Sequence, residues 1–580
     1  MLHSIAMRQL LICSAIILSF SCDRKSESDL PVKVVESINA RIENGSNQSI
    51  VVGIVDADGE RFYSFGKTRM TGEPVNEHTI YEIGSISKVF TAILLANQAE
   101  EGKLDINDPA QKYLPSHVHV PKGAKNEITL ASLSDHTSGL PRMPSNFSPK
   151  DYMNPYADYT VEGMYEFVSG YTLTRDVGAE FEYSNLAQGL LGHILALNAD
   201  TSYEALMVDI IARPLGMNET KITLDSNMVK NLAIGHSEGE EVPNWDIHTL
   251  AGAGGIRSSV YDLLKFLAAN IGLVPSTLKS SIDQTHQTRH FMAGRARIGL
   301  GWHIIKGKLG DIVCHSGGTG GYRTFAGFVK ESRKGVVVFT NSTTGVDDIG
   351  YRLLDPNAII NPRKPTPAAY FRKIMGSFGV DSAIVFYKNL KASRPDEFDF
   401  SEGVLNTIGF EYLTEDLPSS LAIFKLNTEE FPDRYNTYES YAEALLRDGK
   451  TDLAIENYRK SLAIDPSNTN AILALEKLGV VWKTPQVDIP EDLMETYTGT
   501  YAFHKGLDIV ITRDEKQLFG KASNGPVTEL YPKSANEFYT TAVKASLKFS
   551  RDGTTLIFRQ QGQELRGTKV ASEESAGTKR

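Results

Sequence analysis

The stretch Tyr81-Glu-Ile-Gly-Ser-Ile-Ser-Lys-Val-Phe-Thr91 constrains this chain more than any other, because it joins a short apolar run to a helix with almost no polar face. Ile80, Tyr81 and Ile83 lead to Gly84, and Val89, Phe90, Ala92, Ile93, Leu94 and Leu95 follow, which reads as a strand or turn feeding a buried helix. A helix apolar all round needs a large core to cover it. Two polar groups enter that helix together. Ser85 and Lys88 are three residues apart, a spacing that places side chains on one face within mutual reach. A serine hydroxyl becomes a nucleophile when a neighbour takes its proton, and a lysine does so when burial or nearby cations lower its pKa. The N-terminus of the helix adds backbone N–H groups that favour developing negative charge. Spacing alone decides nothing, since Ser276-Thr-Leu-Lys279 repeats it in an ordinary polar stretch. The apolar surroundings of Ser85 separate the two.

At 580 residues the chain is expected to hold two to four domains. A net charge of -11 without long basic runs argues against nucleic acid as a partner. No phosphate-binding glycine loop, His-Glu-x-x-His or paired-cysteine pattern is present, so neither a metal nor a cofactor is expected. The N-terminus reads as an export signal, with Arg8, an apolar run from Leu10 to Phe20, and Ser19-Phe-Ser-Cys22. The expectation is cleavage before Cys22, lipidation of that cysteine, and an exported, membrane-anchored lipoprotein on the periplasmic or outer-membrane side; a soluble secreted protein is the alternative. Of three cysteines, Cys13 falls in the leader and Cys22 at its end, leaving Cys314 as a packed core thiol and no internal disulfide.

Apolar residues from Val34 to Ile42 recur at helical spacing, and Ser49 to Val55 and Arg61 to Gly66 read as a hairpin turning at Asp56-Ala-Asp-Gly59. Asp135 beside His136 reads as a pinned helix end rather than an acid–base pair, because adjacent helical residues diverge. Tyr183 and Asn185 precede an apolar helix: a phenol there can relay a proton and an amide can hold a substrate group, or Tyr183 is a buried aromatic and Asn185 an N-cap. Ala251 to Ser259 reads as a glycine-rich loop before a helix capped by Ser258 or Ser259, with no chemical role. Ile312-Val-Cys-His315-Ser-Gly317-Gly318 reads as a strand running into glycines, where His315 can orient a substrate and the Gly318 N–H can face an oxyanion.

Ser85-x-x-Lys88, Tyr183-x-Asn185 and His315-x-Gly317, in that order, resemble the serine β-lactamase and penicillin-binding family, nearest its class C branch and the esterase and D-peptidase relatives. Thr137-Ser-Gly-Leu-Pro141, Arg213-Pro-Leu-Gly-Met217 and Gly299-Leu-Gly-Trp302 strengthen the resemblance. It implies an α/β (α+β) fold, an antiparallel sheet flanked by helices with a helical subdomain, over residues 33–355. It further implies an acyl-Ser85 intermediate, acid–base work shared by Lys88 and Tyr183, and substrate contacts from Asn185, His315 and Gly317. The Ser85 and Gly318 N–H groups would form the oxyanion hole. The substrate would be a β-lactam, a D-amino-acid peptide or an ester; a binding or scaffold protein on the same fold is the alternative. One departure stands out: His315 occupies a position that is often lysine in the family. Histidine, with an ordinary pKa near ~6.5, is mostly neutral at pH 7 and is no fixed cation for a carboxylate.

A proline-rich linker is expected over 356–370, around Asn361-Pro-Arg-Lys-Pro-Thr-Pro367. Residues 371–483 read as helical, and Tyr438 to Pro466 resembles a tetratricopeptide repeat that offers either a peptide groove for a protein partner or a plain spacer. Period-two alternation through Leu507, Ile509 and Ile511, with a turn at Asp552-Gly553, predicts a small antiparallel β-domain over 490–570.

Overall fold

The computed structural model describes residues 29–292, 296–466, 468–482, 489–503, 507–523, 527–540, 545–560 and 563–570. The leader, Cys22 and the polar C-terminal tail lie outside the described residues.

An eight-stranded, wholly antiparallel sheet organises the first 355 residues. Its order runs Gly59–Gly66, Ser49–Asp56, Lys334–Thr340, Arg323–Val329, Asp311–Gly318, His303–Lys306, Arg297–Ile298, His290–Phe291. The first hairpin therefore pairs with the last long strand, Val51 lying opposite Phe339. Both faces are covered, so Ser49–Asp56 is buried almost throughout instead of alternating with solvent. Val51 and Val55 face the larger core, built with the helices that carry the site; Ile50, Val52 and Ile54 face a second core under the helices Val32–Glu43 and Asp347–Leu354. Arg41 ties those two helices together, donating to Asp348 at 2.6 Å and to the carbonyl of Asn361 at 3.1 Å.

The expected helix of Tyr81–Thr91 is Ser87–Glu100, entered through a 3₁₀ turn, Gly84–Ile86. Ser259 caps the helix Val260–Ile271, accepting from the Asp262 N–H. The run Ala251–Ser259 is more ordered than a loop: Ala251–Gly254 is a helical turn and Arg257–Ser259 a short strand paired with Ile80–Glu82. Cys314 is buried, and burial pushes its thiol up to about 12, as a core thiol requires.

After the linker come seven helices from Ala368–Phe378 to Thr469–Lys477 among the described residues. Tyr435–Arg447 and Thr451–Ile464 pack as a pair around Ala442, Leu445, Ala454, Tyr458 and Leu462. The C-terminal β-domain is a closed eight-stranded barrel preceded by the helix Glu491–Tyr497. Tyr497 stacks on Phe549 at 4.4 Å inside it, and closure leaves no free sheet edge.

Candidate active site

From Thr79 to Ala96 every residue is buried except Ser85, which keeps partial access to solvent. Two glycines make this possible. Gly84 has φ +52°, and a Cβ there would lie 2.7 Å from the Gly318 nitrogen, so the turn before Ser85 rests directly on the end of the strand Asp311–Gly318. A Cβ on Gly317 would collide with the Ile83 carbonyl oxygen and the Thr324 hydroxyl, which are themselves bonded at 2.9 Å. The glycines of the third motif thus seat the Ser85 turn against the sheet, and the N–H groups of Ser85 and Gly318 belong to adjoining backbone.

Lys88 has no solvent exposure, and its Nζ lies 3.0 Å from Ser85 Oγ. It donates to Asn185 Oδ1 at 2.9 Å and to the Ala253 carbonyl at 2.7 Å. No carboxylate pairs with it among the described residues. Burial holds the amine well below the usual lysine range, and the Arg142 guanidinium adds to the effect. Three oxygens, those of Ser85, Asn185 and Ala253, surround the amine; once it is uncharged, its two N–H groups can go to Asn185 and Ala253 and its lone pair to the Ser85 O–H. Asn185 is therefore a partner of Lys88 rather than a cap; Ser184 caps the helix Asn185–Asn198, accepting from the Ala187 N–H at 2.9 Å. The carbonyl of Ala253, in a run read as chemically silent, is the acceptor that sequence reasoning missed. Gly252 and Ile256 strap the same run to Thr91 and Ser87.

The Lys88 Nζ sits 4.8 Å from the Tyr183 ring centroid, and the Arg142 guanidinium 5.1 Å from it. Burial pushes the Tyr183 phenol up to about 12, with the Ser85 hydroxyl and Arg142 offsetting part of the rise. At neutral pH the phenol keeps its proton.

Three imidazoles surround Tyr183: His136 at 4.6 Å, His315 at 6.3 Å and His303 at 6.5 Å between ring centroids, with His303 and His315 stacked at 4.8 Å. His136 Nδ1 accepts from the Ser184 N–H. It is a structural support for Tyr183; its neighbour Asp135 turns away to Arg289 at 2.8 Å, as the reading of a pinned helix end expects. His315 donates from Nδ1 to the Ser316 carbonyl at 2.7 Å, since that oxygen has no proton to give. Burial, with His303 and Lys88 close by, keeps His315 well below the ordinary histidine range. The ring is neutral and its Nε2 is a bare lone pair, buried and without a partner among the described residues. His315 and Gly317 thus reach the site in different ways, the first under Tyr183 and the second beneath the turn.

The six residues named from the sequence, with Gly318, converge from three distant segments: Ser85 and Lys88, Tyr183 and Asn185, and the strand end His315 to Gly318. The beta-lactamase family model matches residues 35–355, and a second model, described as a domain of unknown function (DUF3471), matches residues 483–569. The chain is similar to the D-alanyl-D-alanine-carboxypeptidase/endopeptidase AmpH of Escherichia coli K12, at 26% identity over 58% of this chain and 93% of the relative. It is similar to a beta-lactamase of Pseudomonas fluorescens, at 26% identity over 52% of this chain and 87% of the relative. Among solved structures, the D-alanine carboxypeptidase AmpC of Burkholderia cenocepacia aligns with a TM-score of 0.50 at 25% identity, covering 57% of this chain and 99% of that one. The matched segment is the one that holds the sheet, the Ser85 turn and all three motifs, and the chain belongs to the beta-lactamase family of serine hydrolases.

Proposed function

We propose that Ser85 is the nucleophile of an acyl-enzyme hydrolase and that Lys88, uncharged, is its base. Ser85 Oγ attacks the substrate carbonyl carbon while its proton passes to Lys88 Nζ. The carbonyl oxygen takes up the negative charge and meets the N–H groups of Ser85 and Gly318. Removing one such donor typically raises the barrier by about 2.7–4 kcal/mol. The proton then reaches the leaving amine or alkoxide through the Tyr183 hydroxyl, the bond to the leaving group breaks, and acyl-Ser85 remains. Water attacks the ester, gives its proton to Lys88, and Ser85 regains one. Asn185, with its oxygen on Lys88 and one N–H facing the Met143 sulfur, keeps its other N–H for an acyl-side carbonyl of the substrate. The observation that carries this reading is the fully buried Lys88 amine, 3.0 Å from Ser85 Oγ and without a carboxylate partner among the described residues.

The substrate proposed is a D-amino-acid peptide, an ester or a β-lactam. His315 favours a second reading within that range, an esterase or D-aminopeptidase without β-lactamase activity, because a neutral imidazole offers no fixed charge to a substrate carboxylate. Intact mass of the protein mixed with a penicillin, and separately with p-nitrophenyl acetate, tests both readings. An adduct on wild type and none on Ser85→Ala is expected for at least one reagent. A penicillin adduct that turns over would remove the second reading; equal ester hydrolysis by Ser85→Ala would end the first. We further propose that the protein is exported and lipid-anchored through Cys22, which release from membranes without detergent would refute. The tetratricopeptide-like pair and the barrel are proposed as accessory modules.

A further inference from the structure

Between Pro141 and the helix Val161–Gly170 the chain runs through 142–159 without a regular element. Loops this long inside a compact domain are uncommon and usually either functional or disordered. The inner end of this one is part of the site. The Arg142 carbonyl accepts from the Asn185 N–H at 3.0 Å, and the Met143 sulfur lies 3.7 Å from both the Asn185 amide nitrogen and the Tyr156 hydroxyl. Its outer turn is held by a different module. The Tyr152 ring stacks on Phe410 at 5.6 Å and 16°, with the Arg447 guanidinium 4.6 Å from its centroid, and its hydroxyl donates to the Glu443 carboxylate. Lys477 Nζ donates to the Ser145 carbonyl at 2.5 Å. Tyr152 also packs on a small core of Leu413, Phe424 and Ala444, all from the helical module.

We infer that the helical module is a working part of the active-site wall: by gripping Tyr152 and Ser145 it positions the segment 142–159, and through it the Asn185 amide that receives the substrate's acyl side. Tyr152 is on this account a positioning residue for the acylation proposed above, on which the inference rests. The module replaces the regular structure that the segment lacks. Ser85 and Lys88 are built on the buried helix, and Lys88 keeps its contact with the Ala253 carbonyl whatever the segment does, so loosening the grip falls first on recognition of an amide-bearing acyl group and less on the base.

The test compares two esters in the full-length protein: p-nitrophenyl N-acetyl-D-alaninate, which carries an amide for Asn185, and p-nitrophenyl acetate, which does not. Tyr152→Ala and Phe410→Ala are expected to raise KM for the first about tenfold, the scale of a small misplacement, and to leave acetate hydrolysis within about twofold. Tyr152→Phe, which keeps the stack, restores most of the loss. Should the alanine variants fold poorly, Lys477→Met, at an exposed contact, is expected to raise KM for the amide ester in the same direction, with Tyr152→Phe staying near wild type. Unchanged kinetics for both esters overturn the inference, as does a parallel loss on both. No hydrolysis of either ester by wild type, with no label on Ser85, would instead refute the acyl-enzyme reading itself.

Discussion

Replacing Lys88 by methionine isolates the base. The two side chains are similar in length and Lys88 is fully buried, so the change removes the amine without opening a large cavity. Two acceptors, Asn185 Oδ1 and the Ala253 carbonyl, lose their donor at a cost of about 1–3 kcal/mol each. The removal of a buried amine that no carboxylate compensates offsets part of this, because methionine has no polar group to desolvate. The fold is expected to survive. The rate is not: a positioned general base contributes about 10²–10⁴-fold, or about 2.7–5.4 kcal/mol of barrier. Stopped-flow acylation by p-nitrophenyl acetate, with thermal unfolding as the control, reads the effect. Wild-type acylation is expected to rise with pH as Lys88 loses its proton, well below the ordinary lysine range, and then to stay level until the Tyr183 phenol ionises at about 12. A Lys88→Met enzyme that keeps a tenth or more of the wild-type rate would refute the assignment. So would an acid limb that disappears in Tyr183→Phe, since that would make the phenol the titrating base.

Three further outcomes follow from the same geometry. Gly84→Ala puts a methyl 2.7 Å from the Gly318 nitrogen at a φ of +52°, and is expected to abolish acylation while the barrel unfolds as in wild type; normal labelling of Ser85 would show that the seat is not needed. Asp348→Asn leaves the buried Arg41 unpaired and is expected to destabilise the first 355 residues by about 3–5 kcal/mol in urea; a change under about 1 kcal/mol would count against the pair. His136, His286, His303 and His315 are all held below the ordinary histidine value by burial, His303 to about 4 and His286 to about 3. The unfolded chain therefore binds protons that the native state refuses. Stability is expected to be full above pH ~6.5 and to fall below it by up to about 1.4 kcal/mol per pH unit for each ring. Urea midpoints that do not move between pH 7.5 and 5 would contradict this.

Local patterns carried much of this molecule. The apolar run through Leu95 announced a buried helix, Asp56 to Gly59 a hairpin, and period-two alternation the barrel strands, because each is a contest between neighbours in the chain. The three motifs could be named for the same reason, and their convergence could be expected from the family resemblance. What escaped notice was set by distance or lacked a signature. Ala253 acts through its backbone carbonyl, which looks the same in every residue. His136 and His303 support Tyr183 from far along the chain, and each reads alone as an ordinary buried histidine. Asn185 could be weighed as a cap because Ser184, the residue that does cap, differs from it by one position, and helix ends are uncertain at that scale. Tyr152 stood in an irregular segment with nothing to mark it until Phe410 and Glu443 were folded against it.

The order of strands in the main sheet has a consequence in time. Ser49–Asp56 is made early, yet its neighbour on the side away from Gly59–Gly66 is Lys334–Thr340, and that edge has no partner until the later strand exists. At roughly 5–20 residues per second, synthesis takes on the order of fifteen seconds to a minute to supply it. Throughout that interval the apolar strand has one side unfilled, and the buried helix behind Ser85 has no complete sheet to lie on. The helices and the barrel that follow are made only after the last strand of that sheet.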